Sequence, residues 1–142
     1  MKGRIDEQTA TILLGEDNPA DVYLIRQALD EHGVKYSLKV ASHGGEMMNA
    51  ITSGLAPDLI VLDLNLPRHD GLEILALIRN NPNFKEVPVA ILTSSDSPKD
   101  RAAASVLSAD RYIRKPSNLE EFMAIGQILQ TLLGNRQQAF TL

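Results

Sequence analysis

The sequence predicts an α/β fold, with five parallel strands alternating with five helices that cover both faces of one sheet. Three observations carry this. Apolar runs of strand length recur along the chain, at Ile12–Leu14, Leu59–Leu62, Val89–Leu92 and Tyr112–Ile113. The stretches between them place apolar residues at helical spacing and are opened by capping residues or prolines. Each of the four runs ends in polar residues, respectively Glu16-Asp17, Asp63, Thr93-Ser94 and Lys115-Pro116. Strands that alternate with helices argue for a parallel sheet. In such a sheet the strand ends share one edge, where ligands of open α/β folds bind.

In chain order, residues Met1 to Ala10 read as a flexible leader. They are polar and charged and lack the apolar segment of a signal peptide. The first strand spans about Thr11 to Glu16. Asn18 can cap the following helix and Pro19 suits its first position. Val22, Ile25, Ala28 and Leu29 give that helix an apolar face, and Gly33 lies just past its end. Tyr36 to Ala41 alternates apolar and polar residues, as a half-exposed strand does. Met47, Met48 and Ile51 mark a weaker second helix that ends near Gly54. Leu59 to Leu62 is continuously apolar, which suits a central strand covered on both faces.

The loop Leu64 to Gly71 leads into a third helix with Leu72, Ile74, Leu75 and Ile78 inward, broken at Asn80-Asn81-Pro82-Asn83. Pro88 opens the fourth strand. Ser97-Pro98 starts a fourth helix rich in small residues. The short fifth strand is Arg111 to Arg114. Ser117 and Glu120 form a capping-box pattern for the last helix, which carries Phe122, Ile125, Ile128, Leu129 and Leu132 and stops at Gly134. Residues 11–134 therefore read as one domain and 135–142 as a short tail.

At 142 residues the chain is long enough for one domain and too short for two comfortable ones. It has no cysteine, which excludes disulfides, thiolate metal sites and cysteine nucleophiles. The net charge of −4 argues against nucleic-acid binding, which needs a basic face. No apolar run approaches the ~18 residues of a membrane span. A cytoplasmic location is the expectation.

The polar strand ends suit one phosphate-and-metal site. Asp63 is the candidate reactive residue, because a carboxylate at a strand end can attack a phosphoryl group and form an aspartyl phosphate. Taken alone, an Asp at a strand end is more often a helix cap or a loop-closing acid. Glu16 and Asp17 beside a third carboxylate are unfavourable unless a cation neutralises them. Mg²⁺ takes oxygen ligands, usually one or two carboxylates with phosphate and water. Asp17 and Asp63 are the candidate direct ligands, the backbone carbonyl of Asn65 a further one, and Glu16 an outer or water-mediated one. The ordinary reading of Glu16-Asp17 is a solvated helix N-terminus.

Thr93 can donate to a phosphoryl oxygen, although a threonine after a strand is more often a turn former. Lys115 can meet phosphoryl oxygens or, without phosphate, the carboxylate of Asp63. The Lys115–Pro116 bond can be cis or trans. Tyr112 points away from the Lys115 face. Asn65, His69 and Ser95 flank the site, with His69 read as exposed. Arg111 and Arg114 flank the fifth strand on its exposed side.

In these residues and their order the chain resembles the receiver domain of bacterial two-component response regulators, over roughly Thr11 to Leu133. The marks are the Glu16-Asp17 pair, Asp63 after the third strand, Pro67 and Gly71 in the next loop, Thr93 ending strand four, and Tyr112 with Lys115-Pro116. The resemblance implies a flavodoxin-like (βα)5 doubly wound sheet of order 2-1-3-4-5. It implies a phosphorelay protein, not an enzyme, that accepts a phosphoryl group from a sensor histidine kinase onto Asp63 with Mg²⁺ and supports its own phosphorylation and dephosphorylation. Thr93 and Lys115 would assist, Thr93 and Tyr112 would act as the switch pair, and the face of helix four, strand five and helix five would change shape. Asp17 to Val22 and Leu62 to Pro67 look like the stand-alone receivers that partner phytochrome kinases, which implies homodimerisation through that face. With no output domain attached, transcriptional control by this chain alone is not expected. One departure is Gly15, where such receivers carry a small aliphatic residue, and glycine weakens a strand.

Three other readings compete with this one. A flavodoxin-like flavin-binding module needs a phosphate-cradling loop after strand one and stacking aromatics, whereas Glu16-Asp17-Asn18-Pro19 is acidic and aromatics are 4%. A haloacid-dehalogenase-like phosphatase needs a second Asp two residues after its nucleophile, and Asn65 stands there. A degenerate receiver that serves only for docking would lack reactive residues that this chain retains.

Overall fold

The computed structural model describes residues 9–141, with side chains through Gly134. In chain order its elements are β1 (Ala10–Gly15), α1 (Pro19–Glu31), β2 (Tyr36–Ala41), α2 (Gly44–Thr52), β3 (Leu59–Leu62), α3 (Gly71–Asn80), a 3₁₀ turn (Pro82–Phe84), β4 (Val89–Thr93), α4 (Pro98–Val106), β5 (Arg111–Arg114) and α5 (Leu119–Thr141). The strands form one parallel sheet in the order β2-β1-β3-β4-β5. This is the expected doubly wound arrangement.

The period-2 geometry of the strands divides the core in two. Leu13, Ile60, Leu62, Val89 and Ile91 pack with Met47, Ile51, Ile74, Leu75 and Ile78 against α2 and α3. Their neighbours Ile12, Leu14, Leu59, Val61, Ala90 and Leu92 face the other way, onto Ile25 and Leu29 of α1 and Phe122, Ile125 and Leu129 of α5. All four residues of β3 are buried, so its unbroken apolar run is the signature of a strand covered on both sides. Among the described residues no helix is long and apolar enough to cross a membrane.

The helix starts follow capping chemistry. Asn18 accepts from the Ala20 N–H with Pro19 in the first turn, and Ser97 accepts from the Asp100 N–H with Pro98 next. The last helix departs from its expected cap. Asn118, not Ser117, is the capping residue. Its Oδ1 accepts from the Glu121 N–H at 2.8 Å, and its carbonyl accepts from the Phe122 N–H. Asparagine is at least as good a cap as serine, so the helix begins one residue later than the Ser117/Glu120 box implies.

The stop at Gly134 is also corrected, because α5 continues to Thr141. Gly134 does not adopt the left-handed conformation of a helix-ending glycine, which here occurs at Gly33 and Gly54. A helix-interior glycine costs only ~1 kcal/mol, and good helix formers follow it. Of the expected leader, residues 1–8 lie outside the described residues, and Ala10 already belongs to β1.

Arg79, at the end of α3, fastens the edge of the sheet opposite the polar strand ends. Its guanidinium donates to the carbonyls of Val87 (2.8 Å), Ser108 (2.8 Å) and Phe84 (3.3 Å) and pairs with Asp110 at 3.0 Å. Ser108 sits at φ 65°, a left-handed conformation that glycine ordinarily fills, and the arginine holds its carbonyl in place. Arg79→Ala leaves these acceptors without their shared donor. The expected loss is about 2 kcal/mol in urea unfolding, and a change below about 0.5 kcal/mol would show that water replaces the arginine without penalty.

Candidate functional site

Sheet register gathers the polar strand ends. Gly15 pairs with both Ala41 and Leu62, Leu62 with Ile91, and Thr93 with Arg114. The residues just beyond therefore come together. The Asp63 N–H donates to the Gly15 carbonyl at 2.9 Å, the Glu16 N–H to Ala41 at 3.0 Å and the Lys115 N–H to Thr93 at 2.8 Å. Glu16 and Asp63 are only 1% and 4% exposed, while Asp17 is open to solvent. Carboxylate oxygens of Glu16, Asp17 and Asp63 lie within 4.8 Å of one another.

Lys115 is the hub of this cluster. Its ammonium donates to Glu16 Oε1 at 2.9 Å, Asp21 Oδ2 at 2.7 Å and Asp63 Oδ2 at 2.8 Å. An ammonium has three N–H donors, and these contacts occupy all of them. Burial alone would push the Lys115 pKa down. The hydrogen bonds to Asp21, Asp63 and Glu16 outweigh it and hold the group protonated well above the ordinary lysine range. Glu16 moves the other way. Burial raises its pKa, and the Lys115 contact and the Asn18 N–H, which donates to Glu16 Oε2 at 3.2 Å, reverse this only in part.

Three carboxylates thus share one ammonium, and a fourth, Asp17, lies beside two of them. The excess negative charge and the all-oxygen donor set fit a hard divalent cation held by Glu16, Asp17 and Asp63. Asp17, exposed and without a Lys115 contact, is the acid freest to serve it.

Asp63 is held at both oxygens. Its Oδ1 accepts from the Asn65 N–H at 2.9 Å while Oδ2 accepts from Lys115. Thr93 is fully buried, and its hydroxyl oxygen accepts from Asn65 Nδ2 and from the Ser95 N–H, each at 3.3 Å. Tyr112 is partly buried and packs against the core beside Ala104 of α4. Its hydroxyl donates to the Ser95 carbonyl at 3.1 Å, and the Arg101 guanidinium stands 4.5 Å over its ring. Thr93, Ser95 and Tyr112 are therefore linked through one short loop. The Ser95 hydroxyl donates to Asp100 Oδ2 at 2.7 Å.

The loop after β3 is closed by backbone contacts. The Gly44 N–H donates to the Pro67 carbonyl at 3.0 Å and the Gly71 N–H to the Leu64 carbonyl at 3.3 Å. The Leu64 backbone occupies the place where a Gly71 side chain would stand. His69 is exposed, rests against Gly44 and is not part of the acid cluster. Arg111 is exposed, and Arg114 pairs with Asp96 at 3.4 Å. The Lys115–Pro116 bond is trans. The space beside Gly15 is filled from its neighbours, since a Cβ there would meet Leu62, Leu66 and Met47 at 3.0–3.1 Å. The missing side chain leaves no slack under the acid pair.

Asp21 is the participant that sequence reasoning missed. As an acid in the first turn of α1 it has an ordinary explanation in the helix dipole. The available signal was its place one turn beyond Asp17, on a helix that begins at the edge of the site.

The sequence matches the response regulator receiver domain family over residues 12–127. It is 34% identical over 126 residues to the response regulator Rcp1 of Synechocystis sp. (strain ATCC 27184 / PCC 6803 / Kazusa), covering 84% of this chain and 86% of the relative. A crystal structure of the Mn²⁺-bound form of Rcp1 superimposes with a TM-score of 0.79, covering 86% of this chain and 92% of that one. The phosphorylated cyanobacterial phytochrome response regulator RcpA gives 35% identity and a TM-score of 0.79, over 86% and 91% of the two chains. The chain is also 38% identical over 121 residues to TrcR of Mycobacterium tuberculosis, covering 85% of itself and 45% of that longer protein. Neither the phosphatase nor the flavin-binding alternative is favoured by these likenesses. By sequence match and by fold, this chain belongs to the response regulator receiver domain family.

Proposed function

We propose that this receiver accepts a phosphoryl group on Asp63, with Mg²⁺ held by Asp17, Asp63 and the Asn65 carbonyl and with Glu16 acting through water. The observation that carries this reading is the buried Asp63 carboxylate held by Lys115 inside a cluster with more acids than one cation can neutralise. One carboxylate oxygen of Asp63 attacks phosphorus. A new O–P bond forms as the bond from phosphorus to the leaving group breaks, and the leaving group keeps the electron pair. Because transfer depends chiefly on positioning and charge stabilisation, few protein groups are needed. A bound Mg²⁺ would supply neutralisation of the phosphoryl oxygens.

Lys115 is the second cation in the site, and the donor now held by Asp63 becomes available to a phosphoryl oxygen. Thr93 supplies a hydroxyl once its present contacts with Asn65 and Ser95 are exchanged. Tyr112 follows through the Ser95 carbonyl, which passes the change to α4 and β5. Such a switch operates only if phosphate favours one arrangement energetically over the other.

The donor in this reading is a sensor histidine kinase. The similarity to Rcp1 and RcpA supports one of the phytochrome type, and cytoplasmic residence goes with it. Val106 and Leu119, 82% and 64% exposed, lie on α4 and at the start of α5, and they support self-association through the α4-β5-α5 face.

The test is intact mass after acetyl phosphate treatment, with and without Mg²⁺, followed by peptide mapping. One PO₃ on Asp63, formed only with the metal, is expected. Modification that ignores the metal, or that maps elsewhere, overturns the assignment. Sedimentation of the phosphorylated and unphosphorylated forms is expected to show a shift toward dimer, and identical profiles would remove the self-association.

A further inference from the structure

Asp21 makes the shortest of the three Lys115 contacts, at 2.7 Å, yet it stands outside the trio of carboxylates that can share a cation. Its partner is Lys115, and it is not among the ligands of a metal held by Glu16, Asp17 and Asp63. Asp21 reaches the lysine from the first turn of α1, whereas Glu16 and Asp63 reach it from the sheet edge. Once phosphate occupies Asp63, that carboxylate loses its charge and its hold on the lysine. Asp21 then remains as the acid that draws the ammonium toward α1. Its own anion lies within one lysine head group of the incoming phosphoryl oxygens. Only 17% of the Asp21 side chain is exposed, so water screens this charge incompletely.

We propose that Asp21 is a positioning residue that restrains phosphoryl capture by occupying one donor of Lys115 and holding a fixed negative charge beside the entry point of an anionic donor. This rests on the assignment of Asp63 as acceptor and adds an antagonist to it. The lysine is shared between the acceptor and a competing acid, and the phosphoryl group must win its donors against that competitor. A full charge at this range in a partly screened site changes the affinity for an anion by about three- to tenfold.

The experiment compares the wild-type chain with Asp21→Asn, Asp21→Ala and Asp21→Glu, each treated with acetyl phosphate and Mg²⁺ and followed by intact mass. Folding is checked by far-UV circular dichroism. Asp21→Asn, which keeps an acceptor for Lys115 but no charge, is expected to lower the half-saturating acetyl phosphate concentration about three- to tenfold. The maximal rate should stay within about twofold, and the gain should shrink as salt is raised. Asp21→Ala should give a gain of the same sign. Asp21→Glu restores the charge and should return the wild-type value.

A merely structural Asp21 would instead give wild-type behaviour in Asp21→Asn and slower capture in Asp21→Ala, and either result overturns the proposal. So does a gain that salt leaves unchanged. A wild-type chain that takes no phosphate overturns the reading of Asp63 and this proposal with it. Phosphorylation of the wild type with no gain in Asp21→Asn overturns this proposal alone.

Discussion

Asp63→Asn is expected to take up no phosphoryl group from acetyl phosphate at any Mg²⁺ concentration. The substitution keeps the shape of the side chain and leaves an amide oxygen to accept from either Lys115 or the Asn65 N–H, the two donors that hold the carboxylate. What it removes is the anionic oxygen that would attack phosphorus, and a neutral amide is a poor nucleophile. It also removes one of the three acids in contact with a single ammonium. The metal-free variant should therefore melt no lower than the wild type. Loss of phosphorylation and retained stability together separate a missing nucleophile from a damaged fold. Sustained incorporation of PO₃ into this variant would sink the assignment of Asp63, and a fall in melting temperature would show that its charge is structurally required.

Lys115→Met is expected to have the largest effect on the metal-free protein. The methionine keeps much of the stem but removes the cation that Glu16, Asp21 and Asp63 share, leaving Glu16 and Asp63 buried at 1% and 5% side-chain exposure without a counter-charge. Removing one partner of a buried ion pair costs about 3–5 kcal/mol. The lower figure is expected here, because Asp21 and the lysine itself keep 17% and 13% exposure.

The sign of the pH dependence follows from the two shifts. Glu16 has its pKa raised by burial, so the folded state holds that proton more tightly than the unfolded one, and stability falls as pH rises through the raised value. Lys115 has its pKa raised by its three acids, so its contribution is complete below the ordinary lysine value of ~10.4 and present throughout the neutral range. The difference between wild type and Lys115→Met should accordingly be smaller at pH 4, where Glu16 with its raised pKa holds its proton, than at pH 7.5. Saturating Mg²⁺ should restore part of it at neutral pH. Phosphorylation should slow about 100-fold, the usual loss when one preorganised donor to a developing anion is removed. Urea unfolding at both pH values checks the first part and timed intact mass the second. A stability difference independent of pH would mean that packing of the lysine stem, not its charge, was lost.

The fold was legible because its signals are local. The apolar run Leu59–Leu62 marks a doubly covered strand whatever lies around it, and Asn18-Pro19 and Ser97-Pro98 mark helix starts by capping geometry alone. Where two local signals competed, the sequence misled. Ser117 and Asn118 are both good caps, and the choice of Asn118 depends on how α5 docks on the sheet through Phe122 and Ile125. Gly134 is compatible with a stop and with continuation, and its backbone is helical. Gly15 looked like a loss of rigidity because a sequence does not show that Leu62, Leu66 and Met47 close over it.

By itself, the sequence determined the order of the elements and the convergence of Glu16, Asp17, Asp63, Thr93 and Lys115 on one edge. Strand polarity and alternation follow from neighbouring residues, and parallel pairing then leaves no other place for the strand ends. The tertiary structure decided which groups touch. Lys115 reaches Asp21 across 94 positions of chain, a contact set by how α1 is rotated on the sheet and by the register of β5. Hydrogen bonds form or fail within a few tenths of an ångström. The pattern of residue types that makes a strand or a helix does not resolve distances that fine, and only packed elements bring them into range.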